Sequence, residues 1–234
     1  MIFMLPVSLK QLVIFEKKYQ MTDYYPPMLP GKFYHVFNRG NNRENLFYNN
    51  GNYEYFLRKY DQYLSGLLDT YAFCLLPNHF HMLVRLKEVD EIVVAPGQPK
   101  GITFLKGDTF SADAKDENPV SKQFRLFFTS YAMAVNKQRK RTGSLFQKPF
   151  KRLLVGSASY FANLVFYIHA NPQIHGICED FRNYPWNSYQ RILMNKPSKL
   201  RKKDVTTWFR NEQSYLSYHA SKPDLDEIRH LMIE

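Results

Sequence analysis

Two histidines separated by one residue, His79 and His81, lie in a run of strand-forming residues from Thr70 to Leu86. Successive side chains of a strand point to opposite faces, so residues two apart share a face. Both imidazoles therefore project to the same side, at a spacing that can hold one cation between them. Two histidines on a sheet face can equally pack or hydrogen-bond, and the pair alone does not decide between these roles.

A second polar set lies about ninety residues further along the chain. The segment from Ser157 carries apolar residues at helical spacing, and Ser157 is a suitable N-cap. Pro172 disfavours helical backbone at the residue before it, so we expect the helix to end near Asn171. On this helix Asn163, Tyr167 and Asn171 form one row, and a phenol and an amide oxygen can face a common point. A half-buried tyrosine beside a helix-ending asparagine explains the same residues without chemistry.

Taken together, these motifs resemble those of the single-tyrosine HUH transposases, and most closely the REP-associated tyrosine transposases. The label HUH describes two histidines that flank a hydrophobic residue, as in His79-Phe80-His81. Pro77-Asn78 before the histidines, and Tyr167 with Asn171-Pro172, also match the family pattern. Three further segments are similar to it, at 34–40 (YHVFNRG), 142–147 (TGSLFQ) and 184–189 (YPWNSY). The resemblance covers roughly residues 31–191, in order and at consistent spacing.

The resemblance implies a metal-dependent enzyme that cuts and rejoins single-stranded DNA near an imperfect hairpin. His79, His81 and the side-chain oxygen of Asn171 would bind a divalent cation, and Tyr167 would attack the scissile phosphorus to leave a 5′-phosphotyrosine link. An open site with two imidazoles and an amide suits Mg²⁺ or Mn²⁺. We expect Mg²⁺ in the cell and Mn²⁺ as an active substitute. No general base for the tyrosine can be identified in the sequence.

The charge distribution supports a nucleic-acid partner independently of these motifs. The formal net charge is +11, and residues 120–178 contain nine Lys or Arg and no Asp or Glu. Such a block pairs with phosphates, although a solvated helix face has the same composition. The residues that we expect to contact DNA are Arg39, Lys137, Arg139, Lys140, Arg141, Lys148, Lys151 and Arg152.

The element pattern predicts an α+β fold, a ferredoxin-like antiparallel sheet with helices packed on one face and a helical C-terminal extension. Strands are expected at 33–37, 70–76, 79–86 and within 145–155, and helices at 53–68, 120–140 and 157–171. The resemblance implies that the histidine strand is central and that the tyrosine helix packs across the sheet. His169 is expected to point away from Tyr167 and Asn171, and Asn78 to shape the turn before His79.

The domain organisation that we predict is a single transposase-like domain with appendages. It comprises an N-terminal extension at 1–22, with Met21 as the expected true start, the domain at 23–191 with an acidic insertion at 88–119, and a basic linker and helical tail at 192–234. In the tail, Asp204 is expected to cap a helix that starts at Val205, and a last helix is expected at 223–232. The tail either packs on the domain or adds DNA contacts from its five basic residues at 196–203.

No segment is apolar and long enough to span a membrane, and no signal peptide is evident. The two cysteines form no metal or redox motif, which suits a reducing cytoplasm, and Cys74 is expected to be a buried thiol. We therefore expect a cytoplasmic protein. The sequence does not choose between a monomer and a homodimer, nor between a tyrosine helix that acts in cis or in trans.

Two other function classes compete with this interpretation. One is a domesticated hairpin DNA- or RNA-binding protein that does not cleave its ligand. The other is an RRM-like sheet that stacks RNA on aromatic side chains. The aromatic-rich RNP sequence of an RRM is absent, and that fold has no need of His79, His81 and Tyr167 together. A two-histidine phosphoesterase needs two His-x-Thr/Ser motifs, and the chain does not contain two.

Overall fold

Four antiparallel strands form one sheet in the order β2-β3-β1-β4 in the structure, a computed structural model that describes residues 24–92 and 119–221. The strands are β1 (Phe33–Arg39), β2 (Leu68–Leu76), β3 (His79–Leu86) and β4 (Lys151–Leu154). The order is that of a ferredoxin-like sheet, as predicted. The histidine strand β3 lies between β1 and β2, so its side chains are buried on both faces.

Alternation along β3 divides the core into two parts. Phe80, Met82 and Val84 join a cluster with α1 (Asn50–Leu64) and α2 (Pro119–Arg139), which cover one face of the sheet as predicted. Leu83 joins a second cluster with α3 (Ala158–Ile174), the tyrosine helix, which covers the opposite face. His79 and His81 share the register parity of Leu83, so the period of the strand turns both histidines toward the tyrosine helix.

The tyrosine helix α3 begins as predicted but ends later. Ser157 is the N-cap and accepts a hydrogen bond from the backbone N–H of Tyr160 at 3.0 Å. The prediction that the helix ends near Asn171 is wrong, because α3 runs through Pro172 to Ile174. Proline lacks an N–H but its fixed φ is compatible with a helix. The N–H of His175 then bonds the carbonyl of Asn171 at 3.0 Å, which keeps Asn171 within helical geometry.

Several other element boundaries differ from the predictions: α1 ends at Leu64 instead of residue 68, and β2 begins at Leu68 instead of residue 70. Helix α1 starts three residues earlier than expected because Asn49 caps it, accepting from the N–H of Asn52. The predicted strand within 145–155 is regular only in β4, while Phe146 forms an isolated antiparallel bridge with Gly40 at the end of β1. Leu145 and Phe146 pack into the α1–α2 cluster.

The C-terminal segment packs on the tyrosine-helix side of the sheet. It contains α4 (Tyr189–Leu193), α5 (Lys202–Trp208) and α6 (Glu212–Ala220), with Val205 and Tyr215 fully buried. The prediction that Asp204 caps α5 is wrong, because Asp204 lies in the first turn and accepts from Arg201 at 2.7 Å. A carboxylate there is still favoured by the helix dipole.

Several predictions concern residues outside the described ranges: the 1–22 extension, most of the 88–119 insertion and the last helix at 223–232. Among the described residues, no helix combines the length and apolarity needed to cross a bilayer. Cys74 is buried, as predicted.

Candidate active site

Strand pairing brings three histidines together on the sheet face beneath α3. In the antiparallel register of β1 and β3, Arg39 lies opposite His79 and Phe37 lies opposite His81. The His79 and His81 rings have centroids 5.2 Å apart, and both side chains are almost fully buried. His35, two residues before Phe37, stacks its ring on His81 with centroids 5.1 Å apart. The predicted pair is therefore confirmed as neighbours on one face.

His79 and His81 are each held through the Nδ1 atom. His79 Nδ1 lies 2.7 Å from the side-chain oxygen of Asn78, which only accepts, so this nitrogen carries the hydrogen. His81 Nδ1 lies 2.9 Å from His35 Nε2. In both residues the contact leaves Nε2 as the atom that can face a ligand. Asn78 thus orients His79 through its side chain, a role beyond the predicted one of shaping the turn.

Asn171 meets His79 in an unusual way. Its side-chain oxygen lies 3.3 Å from His79 Nε2, which carries a lone pair when Nδ1 holds the hydrogen. Two acceptors then face each other, and among the described residues the Asn171 amide nitrogen is buried without a partner. Either rotation of the amide or a cation between the two acceptors resolves this arrangement. The donor set therefore fits a divalent cation.

Burial keeps both histidines neutral. Loss of solvent, followed by the effects of His175 and Arg39, lowers the pKa of His79 to about 3. The same burial, followed by the neighbouring His35 and His79, lowers the pKa of His81 well below its ordinary value. Neutral imidazole is the form that binds a metal ion, so at neutral pH both side chains are in the protonation state that a cation requires.

Tyr167 of helix α3 packs against the His81 and His35 rings of the sheet. Its ring centroid is 5.5 Å from that of His81 and 6.3 Å from that of His35, edge to face in both contacts. The side chain is only 1% exposed. Asn163, one turn earlier, instead accepts a hydrogen bond from the Tyr218 hydroxyl of α6. Of the three residues predicted to share one helix face, Tyr167 and Asn171 therefore lie at the candidate site. Asn163 instead contacts the C-terminal helix α6.

His175 and Arg39 flank His79 at the accessible side of the site. The exposed His175 ring lies 4.9 Å from the His79 ring. The Nε atom of half-buried Arg39 is itself buried and has no hydrogen-bond partner among the described residues. His175 was not predicted from the sequence. Its position four residues after Asn171 is a detectable signal, but only for a helix that continues past Pro172.

The cation would depend on the amide oxygen of Asn171. Within residues 24–92 and 119–221, no three His, Cys, Asp or Glu side chains cluster as a metal site. Two imidazoles and one amide remain as donors, with no negative charge among them. Such a set leaves room for oxygen ligands from a phosphate, as suits Mg²⁺ or Mn²⁺.

His169 points away from the site, as predicted, and joins a buried hydrogen-bond chain. His219 Nδ1 donates to the Tyr215 carbonyl at 2.8 Å, so His219 Nε2 must accept from His169 Nδ1 at 3.0 Å. His169 Nε2 then accepts from the Ser188 hydroxyl at 2.8 Å. That hydroxyl accepts from the Phe73 N–H of β2 at 2.9 Å. This series of hydrogen bonds connects the tyrosine helix α3 to the C-terminal helix α6 and to strand β2.

The predicted DNA-binding residues fall into two structural groups. Arg141 donates to Glu44 and to Asn136, each at 2.6 Å, and Arg152 donates to the Pro26 carbonyl at 2.6 Å. These two guanidinium groups stabilise the fold.

The other basic residues lie nearer to solvent. Lys137, Arg139, Lys140 and Lys148 are exposed, and Arg139 covers the Tyr48 ring at 4.4 Å. Lys151 lies 5.1 Å from the centre of the Tyr24 ring. Their contact with DNA stays a prediction.

Comparison with known proteins finds similarity to the family whose motifs the sequence resembles. No family model matches the chain. A Haemophilus influenzae protein assigned by name to the REP-associated tyrosine transposases is 28% identical over 123 residues, 53% of this chain and 60% of that relative. The match thus spans about three fifths of the curated relative.

A solved structure of a REP-associated tyrosine transposase bound to a REP hairpin superposes with a TM-score of 0.54. It is 16% identical, and the match covers 76% of this chain and 89% of that one. The chain is therefore similar in sequence to a REP-associated tyrosine transposase and has the fold of one whose structure is known.

Proposed function

We propose that this protein is a metal-dependent transposase that cuts and rejoins single-stranded DNA near a hairpin through Tyr167. The observation that carries the proposal is the position of Tyr167. One helix places its phenol against His81 and, one turn later, the Asn171 oxygen beside His79 Nε2. As nucleophile and cation donors, these side chains would be held by a strand and a helix, which fix them more firmly than loops would.

His79 Nε2, His81 Nε2 and the Asn171 oxygen would hold the divalent cation, Mg²⁺ or Mn²⁺. When bound, this ion polarises the scissile phosphate and stabilises its developing charge. Arg39, opposite His79, would add a second positive charge to the phosphate oxygens.

The chemistry of Tyr167 is an exchange of phosphodiester oxygens. The phenol loses its proton, the bond from Tyr167 Oη to phosphorus forms, and the bond from phosphorus to the 3′ oxygen breaks. The departing oxygen takes up a proton and becomes a 3′-hydroxyl. The 5′-phosphotyrosine link conserves the phosphodiester, so a later 3′-hydroxyl can reverse the exchange and join a strand without ATP.

All of these residues come from one chain, so a second copy is not needed to complete the site. We therefore expect Tyr167 to act in cis. If the protein forms a homodimer, the dimer is then not required for assembling the active site.

One observation favours the alternative, a hairpin-binding protein that does not cleave. Tyr167 and Asn171 are 1% and 0% exposed, so a phosphate reaches the phenol only if α3 or its neighbours shift. A domesticated relative could keep the fold and the basic surface without that motion.

The experiment that separates these functions is a denaturing-gel assay with labelled single-stranded DNA from the flanks of the protein's own gene. Wild type and Tyr167→Phe are compared in Mn²⁺ and in EDTA. The proposal expects a protein–DNA adduct that needs Mn²⁺ and Tyr167. Tight binding of a hairpin-containing flank without any adduct would favour the binding protein.

A further inference from the structure

An aromatic groove of about 460 Å³ opens beside the site, between the start of α1 and the segment that follows α3. Phe47, Tyr53 and Trp186 form a nearly parallel stack at its base. The ring centroids are 4.3 Å apart for the first pair and 4.4 Å apart for the second, with interplanar angles of 14° and 8°. Tyr48 and Ile177 stand at its edge, 36% and 41% exposed. We refer to the groove formed by these five side chains as the aromatic groove.

The walls of the groove are tied to both segments that carry the candidate cation donors. The Pro77 carbonyl accepts from the N–H groups of Leu46 and Phe47, at 2.7 and 2.9 Å. Pro77 is two residues before His79, so their Cα atoms are at most about 7.6 Å apart. On the other wall, the N–H of Ile177 bonds the carbonyl of Pro172, the residue after Asn171, at 2.8 Å. Each wall of the groove is therefore hydrogen-bonded to a residue one or two positions from a candidate cation donor.

The chemistry of the lining matches nucleobases. No charged side chain lines the groove among the described residues, and three exposed amides stand beside the rings: Asn45, Asn49 and Asn50. Aromatic rings stack on any base, and amides pair with base edges. Arg139 lies over the Tyr48 ring and brings one cation to the edge, where a phosphate would follow its base.

We propose that the aromatic groove binds unpaired DNA bases next to the scissile phosphate. The position of that phosphate rests on the proposed function above. Trp186 lies in the family-like segment 184–189 but is not one of the residues that form the candidate active site. The groove gives this tryptophan a role. Its occupant is single-stranded, because bases inside a duplex have no free face to stack on Tyr48 and Trp186, the two rings of the groove that are not buried.

The test uses the natural fluorescence of Trp186. The chain has two tryptophans, and Trp208 stacks on Phe161 across the sheet, with centroids 3.8 Å apart. The full chain carrying Trp208→Phe and Tyr167→Phe has Trp186 as its one tryptophan, which can be excited selectively over tyrosine, and lacks the proposed nucleophile. It is titrated with a hairpin that carries its single-stranded flank, and with the same hairpin without the flank. Anisotropy of a dye on the DNA reports binding separately.

Variants then assign the effect to the groove. Tyr48→Ala and Trp186→Leu should weaken binding of the flanked hairpin about tenfold, and leave the bare hairpin unchanged. Tyr63→Ala is the matched control, because Tyr63 is ten residues beyond Tyr53 on α1, about 15 Å along the helix. Thermal unfolding confirms that each variant is folded.

Quenching of Trp186 by the flanked hairpin alone supports the groove. Binding of the flanked hairpin without quenching, equal quenching by the bare hairpin, or no binding of either DNA would overturn it. The groove and the proposed function fail separately. An adduct in the Tyr167 assay without quenching here removes only the groove, and quenching without any adduct removes only the cleavage chemistry.

Discussion

The Nε2 atom of His35 lies 2.9 Å from the Nδ1 atom of His81, and both rings are buried. This contact decides which nitrogen of His81 is available. If His81 is to offer Nε2 to a cation, its Nδ1 must hold the hydrogen and donate it to His35.

We expect His35→Ala to lower Mn²⁺ affinity about 10–100-fold, the usual loss when a partner that orients a metal-binding histidine is removed. His35→Gln retains an acceptor and should recover much of the affinity. Isothermal titration of Mn²⁺ without DNA measures both. Equal affinity of wild type and His35→Ala would show that His35 does not set the tautomer of His81.

The His219–His169 pair makes stability depend on pH. Burial lowers the pKa of His219 to about 4, and that of His169 well below its ordinary value. Between pH about 6.5 and 4 the unfolded chain therefore binds protons that the folded chain excludes. The stabilisation is complete above pH 6.5, and the free energy of unfolding decreases as the pH falls, by up to about 1.4 kcal/mol per pH unit for each such histidine.

Urea unfolding from pH 7 to 4.5 measures this slope. His219→Phe should reduce the slope by up to one proton, since one excluded group is gone. It should also lower stability at pH 7 by about 1–3 kcal/mol, because His169 Nδ1 loses its acceptor. An unchanged slope in the variant would contradict the assignment.

A buried ion pair holds the sheet end opposite the histidines. Arg85 binds Asp69 at 2.5 Å and Glu91 at 2.9 Å, and the Arg85 and Asp69 side chains are about 9–10% exposed. Arg85→Leu leaves Asp69 buried without its partner and should cost about 3–5 kcal/mol of stability. The double variant Arg85→Leu/Asp69→Leu should recover most of the loss. Chemical denaturation measures both, and a loss under 1 kcal/mol in the single variant would contradict this prediction.

The basic block should separate into DNA-binding and structural members. Lys140→Ala should reduce the slope of log K against log salt by about one, as expected when one phosphate contact is lost. Arg141→Ala should leave the slope unchanged, because Arg141 binds Glu44, and should lower stability by no more than about 1 kcal/mol. Hairpin binding measured between 50 and about 200 mM salt gives the slope for each of the two variants. The opposite pattern would move Arg141 to the DNA interface.

Local patterns predicted much of this molecule. The two-residue period of a strand is encoded in neighbouring residues, so the shared face of His79 and His81 followed from spacing alone. The same holds for Tyr167 and Asn171 on a helix. His35 could not be assigned this way, because its contact with His81 depends on the β1–β3 register, which is set by packing across the sheet.

His175 was missed for a different reason. The rule that a proline ends a helix at the preceding residue is a tendency, and packing of α3 on the sheet overrides it at Pro172. The aromatic groove joins segments 47–53 and 177–186, so it becomes visible only once the chain is folded.

Covalent attachment of DNA to Tyr167 can be detected by mass spectrometry. The protein is incubated with Mn²⁺ and a single-stranded substrate, the DNA is digested with nuclease, and the peptides are analysed. We expect a nucleotide attached through its 5′-phosphate to the peptide that contains Tyr167, and no modified peptide in EDTA. Attachment to another tyrosine, or through a 3′-phosphate, would contradict this expectation.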